Sequence, residues 1–265
     1  MKIKSYLKSG NSFPIICENN GQNYFVKLRA GMSGSHAMIS EWIGNQLGQA
    51  LNLKTQIPIW MELTDEVEFD DIYIEVKELV QKSIGLNIGF RYQSDASEIG
   101  LDEIKKLDKS VVAAYFLLDL AMLNVDRSRN NTNLMKVDSD IFTIDFESSL
   151  LFQDIIENKN LVENSAILSC FKSNPLYSEL DESTIDQFIS KLEKVDFEKV
   201  ISEIPLSILN KENRTKFLKG IETRKSNNWF LKQIMKRLHH TIIESPEEQK
   251  KRRNKNQEEL RKKMK

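Results

Sequence analysis

The chain has 265 residues, a formal net charge of −1, 40% hydrophobic residues and 29% charged residues. These values are typical of a folded, water-exposed protein with one domain or one domain of two lobes, and they argue against a disordered chain. The chain has no run of 18 apolar residues and no Cys/His cluster, so we expect neither a membrane span nor a zinc site. Cys17 and Cys170 both lie in apolar surroundings, which predicts buried free thiols in a reducing, cytoplasmic compartment.

The charge is distributed unevenly along the sequence. Residues 250–265 contain nine Lys/Arg and two Glu, a net charge of +7, so the remainder carries −8. A basic tail of this kind binds RNA, anionic lipid or an acidic partner, or is simply a solvated segment. Because the rest of the chain is acidic, we expect nucleic acid to bind weakly through the tail or not at all.

The first 84 residues predict a strand-rich part. The segments IKSYLK, PIICEN and NYFVKLR are short, rich in β-branched and aromatic residues, and separated by turn signals, which favours an antiparallel meander. An apolar stripe from Met38 to Leu51 then predicts a helix that Ser33 or Ser35 would cap and that would end near Leu53. The segments IPIWMEL and DIYIEVKELV predict two further strands, and residues 81–100 read as a loop.

From about residue 101 the pattern becomes helical. Of two helices predicted between residues 101 and 124, the second is almost entirely apolar and should be deeply buried. After a polar break, NLMKV and IFTIDF are joined by the turn residues 138–140, which predicts a β-hairpin. We therefore expect an α+β, bilobal fold with a strand-rich N-lobe (1–84), a larger helical C-lobe (85–245) and a basic tail (246–265).

The polar break, NVDRSRNNTN, carries the most chemical information. Asp126 and Asn131 are five residues apart, which is the spacing of the catalytic-loop Asp and Asn in protein kinases. In that arrangement the Asp accepts the proton of the substrate hydroxyl and the Asn binds magnesium. Asp145 follows the next strand, where kinases place the Asp that binds the magnesium bridging the phosphates of ATP. The predicted hairpin would bring both carboxylates to one end of the lobe.

Three further features complete the pattern. Lys27 lies in the predicted strand NYFVKLR and can reach the α- and β-phosphates, and Glu41 on the following helix can hold it. The small-residue loops at 9–12 and 31–35, the second including Ser33, Gly34 and Ser35, offer backbone N–H groups to phosphate. Taken singly, Asp126 would be a turn residue, and Asp145 would be a strand-end residue paired with a neighbour such as Arg127. The ordered set favours catalysis.

At these residues the chain resembles the HipA-like kinases. The matching segments are VK (26–27), SE (40–41), NVDRSRNNTN (124–133) and TIDFES (143–148), and the resemblance covers roughly residues 5–240. It implies a protein-kinase-like fold, ATP, Mg²⁺ and phosphoryl transfer to a Ser or Thr hydroxyl of a protein. Asp126 would be the base, Asn131 and Asp145 would bind Mg²⁺, and Lys27 would contact the phosphates. The adenine would lie near Glu78 and Val80, and an antitoxin-like partner in a toxin–antitoxin or stress system is expected.

One departure from the kinase pattern stands out, because Glu147 occupies the position of the glycine of the DFG motif. Three alternatives remain open from the sequence. The same fold can phosphorylate a lipid or a small molecule, since lipid kinases share the DRxxxN loop. The chain can also be an ATP-binding pseudokinase that acts as an interaction module. In the third alternative, the tail binds nucleic acid.

Overall fold

The computed structural model describes residues 1–7, 13–32, 34–69 and 74–240. Its first sheet has six strands in the order β4-β6-β3-β2-β1-β5, antiparallel except for the parallel β1–β5 pair. These strands are β1 (Lys2–Tyr6), β2 (Ile15–Asn19), β3 (Gln22–Lys27), β4 (Pro58–Leu63), β5 (Glu68–Phe69) and β6 (Gly85–Arg91). The predicted meander of the first three strands is confirmed, and Asn20 and Gly21 form the β2–β3 turn with the positive φ angles that such turns require.

Helices α1 (Ser35–Ala50) and α2 (Ile74–Lys82) cover opposite faces of this sheet. Val26 packs with Val76 and Val80 of α2 in one hydrophobic cluster. The next residue along β3, Lys27, instead contacts Glu41 of α1. Because successive strand residues point to opposite faces, α1 lies on the Lys27 face and α2 lies behind it.

Two segments differ from the sequence prediction. Residues 74–80 of the predicted strand DIYIEVKELV belong to helix α2, since Val76 and Val80 recur at helical spacing and pack onto the sheet. Residues 85–91 form strand β6 and not a loop, with Leu86, Ile88 and Phe90 alternating along it. Since β6 pairs with β3 and β4, the strand-rich part extends to Arg91, beyond the boundary predicted at residue 84.

The second part is mainly helical. Its elements are β7 (Ser97–Glu98), α3 (Leu101–Ile104), α4 (Lys109–Met122), β8 (Leu134–Val137), β9 (Asp140–Thr143), α5 (Leu151–Glu157), α6 (Ser165–Ser173), α7 (Glu182–Leu192), α8 (Phe197–Ser202), α9 (Lys211–Ser226) and α10 (Leu231–His240). Helix α4 is buried at the centre of the larger core, as predicted. The hairpin β8–β9 is confirmed, and β7 pairs with β8 to complete a small sheet.

The two parts meet along α1 and β4. Trp42 of α1 stacks on Trp60 of β4 with ring centroids 5.0 Å apart. The indole Nε1 of Trp42 donates to the carbonyl of Val200 in α8 at 3.1 Å, and that of Trp60 donates to the carbonyl of Glu203 at 3.2 Å. The strand-rich part is therefore tied to α8 by two tryptophans.

Further predictions can be compared with the structure. Cys17 is buried, but Cys170 is exposed, so the prediction that it is buried is wrong; α6 turns this residue toward solvent. Helix α1 begins at Ser35, after an N-cap at Gly34 that makes no side-chain capping bond, so Ser35 does not cap it. The predicted basic tail, residues 246–265, lies outside the described residues. None of the helices within the described ranges has the length and apolar character needed to cross a membrane.

Candidate active site

The ammonium group of Lys27 lies at the centre of the site. It is buried at the end of β3, and its Nζ contacts three carboxylates: Asp145 Oδ1 at 2.7 Å, Glu147 Oε2 at 3.2 Å and Glu41 Oε2 at 3.3 Å. One lysine thus faces three acidic side chains, so the acidic groups of this cluster outnumber its single basic group. Such an excess is an electrostatic environment that favours a bound cation.

The pKa values of the cluster follow from this arrangement. Burial alone would lower the pKa of Lys27, but Glu41, Asp145 and Glu147 raise it above its ordinary value, so this side chain stays charged. Burial, together with the nearby Asp145 and Glu147, raises the pKa of Glu41 to about 7, against the opposing effects of Lys27 and of the Phe146 N–H. Glu41 is therefore held in place at a high electrostatic cost, which is typical of functional sites.

Helix α1 positions the segment that contains Asp145. Glu41 Oε2 accepts a hydrogen bond from the backbone N–H of Phe146 at 2.7 Å, so one carboxylate holds both Lys27 and the Asp145 segment. Phe146 is fully buried against Gly44, where any side chain would overlap its ring. Asp145 itself adopts a left-handed backbone conformation with φ of 65°, which costs free energy unless its surroundings impose it.

The loop after α4 carries the second group of side chains. Asp126 Oδ2 accepts hydrogen bonds from the amide nitrogens of Asn131 at 2.8 Å and Asn133 at 3.3 Å. These bonds orient the Asp126 carboxylate and leave the side-chain oxygen of Asn131 as the atom that a cation would bind. The backbone N–H of Ile144 donates to the carbonyl of Asn133 at 3.0 Å, so the hairpin places this loop beside the start of the Asp145 segment.

A buried ion pair that the sequence analysis missed fixes this loop. Asp119 of α4 accepts from Arg127 at 2.6 Å and 3.1 Å, and both side chains are inaccessible to solvent. The other N–H groups of Arg127 donate to the carbonyls of Thr132 and Asn133 and to Thr143 Oγ1. All five guanidinium donors are therefore used. The alternative pairing of Asp145 with Arg127 is wrong, because Asp145 pairs with Lys27.

The other predicted site residues belong to the region before α1, to the start of α1 and to α2. Ser33 is outside the described residues, and Gly34 and Ser35 are exposed at the start of α1. Glu78 and Val80 lie on α2, on the face of the sheet opposite Lys27. Val80 is fully buried there in the hydrophobic cluster that includes Val26. Their predicted place beside the adenine depended on a strand that is a helix in the structure, so the structure does not bring them together with Lys27.

The donor atoms fit a magnesium–nucleotide pair. Magnesium binds hard oxygen ligands and commonly takes one or two carboxylates together with substrate phosphates. Asp145 is about one-third exposed and Asn131 is half-buried, so both have solvent-facing atoms at the site. Within the described ranges, no group of three or more His, Cys, Asp or Glu side chains is placed to hold a metal alone.

Comparisons with known proteins agree with this geometry. A family model described as HipA-like kinase matches residues 1–241. A search of curated proteins gave no match. Among solved structures, the chain is similar to the proinflammatory kinase CtkA of Helicobacter pylori, with a TM-score of 0.53 and 13% identity over 92% of this chain and 100% of that chain.

A second solved structure is HipA of Shewanella oneidensis MR-1, determined with HipB and operator DNA. It has a TM-score of 0.44 and 10% identity over 90% of this chain and 68% of that chain. The likeness to CtkA shows the fold, an α+β kinase-like architecture. The family model spans both the Lys27 cluster and the Asp126 loop. The chain therefore belongs to the HipA-like kinases.

Proposed function

We propose that this protein is an ATP- and Mg²⁺-dependent kinase that transfers the γ-phosphoryl group to a Ser or Thr hydroxyl of a protein. The observation that carries the proposal is the buried Lys27, held by Glu41 of α1 and Asp145. In kinases, a strand lysine paired with a helix glutamate contacts the phosphates, and an aspartate after the catalytic hairpin binds the metal. Family membership supports the same reading.

The roles of the side chains follow from their contacts. Lys27 binds phosphate oxygens, and Glu41 fixes the position of its ammonium group through their hydrogen bond. Asp126 accepts the proton of the acceptor hydroxyl. Asn131 and Asn133 donate to Oδ2 of Asp126, so its Oδ1 remains for the proton. Asn131 and Asp145 would bind Mg²⁺, which when present neutralises the charge of the phosphates. Ser35, at the start of α1 where no side chain caps the helix, offers its backbone N–H to the phosphates, whereas the N–H of Gly34 already donates to the carbonyl of Met32 at 2.8 Å.

We place the adenine against residues 92–96 rather than against Glu78 and Val80. This segment joins β6 of the first sheet to β7 of the second, so it crosses between the two parts of the protein beside the strand that pairs with Lys27. A connection of that kind lies at the edge of the cleft between two lobes, which is a common place for a small-molecule site.

The first test is magnesium-dependent ATP turnover and autophosphorylation of wild type, Asp126→Ala and Asp145→Ala. We expect each substitution to lower the rate by about 10²–10⁴-fold, the usual contribution of a catalytic base or of phosphate-charge stabilisation. Asp102→Ala is the matched control, because this aspartate is exposed and pairs with the neighbouring, exposed Lys105. Its rate should equal that of wild type.

The other outcomes separate the alternatives. Wild-type protein that binds Mg²⁺–ATP but transfers nothing would favour a pseudokinase. Label that appears on a lipid or a sugar, and not on protein, would contradict the protein acceptor and keep the kinase. Absence of nucleotide binding to the wild-type protein would contradict the kinase proposal itself.

We also propose an antitoxin-like protein partner, which the resemblance of the sequence to the HipA-like kinases implies. Co-expression with the protein encoded next to this chain, followed by affinity purification of the pair, tests that part of the proposal. Copurification in a fixed ratio would support a partner, whereas elution of the chain alone would contradict it.

A further inference from the structure

Every N–H donor of the Lys27 ammonium group has a carboxylate acceptor. An ammonium group has three donors, and its acceptors here are Glu41, Asp145 and Glu147. A phosphate oxygen can bind Lys27 only if one of these carboxylates gives up its contact. The free-energy cost of nucleotide binding therefore depends on which carboxylate is displaced from Lys27.

Glu41 is held by further hydrogen bonds, and Asp145 is held by a shorter contact with Lys27 than the one that Glu147 makes. Glu41 is fully buried and also accepts from Phe146 N at 2.7 Å and from Asn45 Nδ2 at 3.3 Å. Asp145 makes the shortest contact with Lys27, 2.7 Å, and its backbone is fixed in a left-handed conformation. Displacing either one would disturb α1 or the end of the hairpin.

Glu147 is held much less firmly. Its side chain is 26% exposed, and within the described part of the chain its one recorded hydrogen bond is the 3.2 Å contact with Lys27. A long side chain with a solvent-facing end can rotate away at little cost. Its position is that of the DFG glycine in protein kinases, which has no side chain to place there.

We propose that Glu147 is a displaceable counter-ion of Lys27, which occupies the donor that nucleotide phosphates need and so weakens nucleotide binding in the absence of a divalent cation. The inference rests on the proposed function, because it assigns the phosphates to Lys27. In the free site three carboxylates face one ammonium group, and a polyphosphate adds further negative charge. Glu147 thereby makes cation and nucleotide binding mutually dependent.

The test is calorimetric titration of ADP and of adenosine into wild type, Glu147→Gln and the matched control Glu193→Gln, first in EDTA and then in Mg²⁺. Glutamine keeps the size of the side chain and removes its charge, and Glu193 is exposed at the end of α7. Without divalent cation, we expect Glu147→Gln to bind ADP about threefold to tenfold more tightly than wild type, as for one partly exposed charge pair. In Mg²⁺, the difference in ADP affinity between Glu147→Gln and wild type should be smaller.

Adenosine serves as the internal control for the shape of the site. Because it has no phosphate, its affinity should be the same for all three proteins. An unchanged or weaker affinity of Glu147→Gln for ADP would overturn the inference, as would an equal gain for adenosine. In either case wild type still binds nucleotide and the proposed function stands. Failure of wild type to bind ADP with or without Mg²⁺ would overturn the proposed function as well.

Discussion

Substitution of Asp119 by alanine should lower the free energy of unfolding by about 3–5 kcal/mol, because it leaves the guanidinium of Arg127 buried without its counter-ion. Both side chains are fully inaccessible to solvent. The same carboxylate also accepts from Asn124 at 3.1 Å and from Asn174 at 3.0 Å, so its loss leaves further buried donors unpaired. Denaturant unfolding followed by circular dichroism measures the change.

The substitution should also slow phosphoryl transfer. Arg127 donates to the carbonyls of Thr132 and Asn133, and Asn133 is one of the two asparagines that orient Asp126. A displacement of a catalytic group by about 1 Å costs on the order of 100-fold in rate. At a temperature where the variant is folded, we therefore expect a lower kcat with little change in the KM for ATP, since Lys27 is not part of this network.

Two comparisons distinguish this network from ordinary surface charge. Asp186→Ala removes the same side chain from an exposed pair with Lys232 and should cost about 0–1 kcal/mol. Arg127→Lys keeps the positive charge but supplies three donors for five acceptor atoms, so it should also lower kcat relative to wild type. If Asp119→Ala were as stable as Asp186→Ala, the ion pair would not be what holds the loop.

Substitution of Gly44 by alanine should lower the free energy of unfolding by about 1–3 kcal/mol and should strongly reduce turnover. A Cβ at this position would overlap the ring of Phe146, which is completely buried and cannot move aside freely. Relief of the overlap moves α1 away from the Asp145 segment, and with it Glu41, which bonds both Lys27 and Phe146 N. The site loses its alignment although none of its polar side chains has changed.

Gly220→Ala is the matched control for this experiment. Gly220 also lies inside a 16-residue helix, α9, and a Cβ there would overlap Ile155. The two substitutions share the overpacking and the same gain in helix propensity. Gly220→Ala should therefore destabilise the protein to a similar degree and preserve kcat. Equal loss of kcat in both variants would show that the effect of Gly44→Ala comes from stability alone.

The local pattern of the sequence was sufficient to predict much of the fold. The meander, the buried helix α4 and the hairpin β8–β9 all follow from short-range periodicity and turn residues, which act within a few positions of each other. Two short segments were misassigned, α2 and β6. A run of eight to ten residues with mixed apolar and charged positions fits the periodicity of a helix and that of a strand. Pairing with β3 makes one segment a strand, and packing on the sheet makes the other a helix.

The candidate site was predicted in part. Lys27, Glu41 and Asp145 do meet in space, although 118 residues separate Lys27 from Asp145. Their order matched a known pattern, but the spacing alone does not fix which carboxylates share the lysine, and the contact of Glu147 was not expected. Asp119 did carry a signal: it is the single acidic residue in an otherwise apolar stretch of α4, and a buried charge requires a partner. Gly44 carried none, because close packing depends on a residue 102 positions away.

The stacked tryptophans give this protein a built-in optical probe. Trp42 and Trp60 are two of its three tryptophans, and both donate hydrogen bonds across the junction to the region of α8. The third, Trp229, is buried against Phe197 in the helical part. A tilt of the strand-rich part would separate donors from acceptors at the stacked pair and leave Trp229 in place. Intrinsic emission would therefore report any such tilt against α8 without an added label.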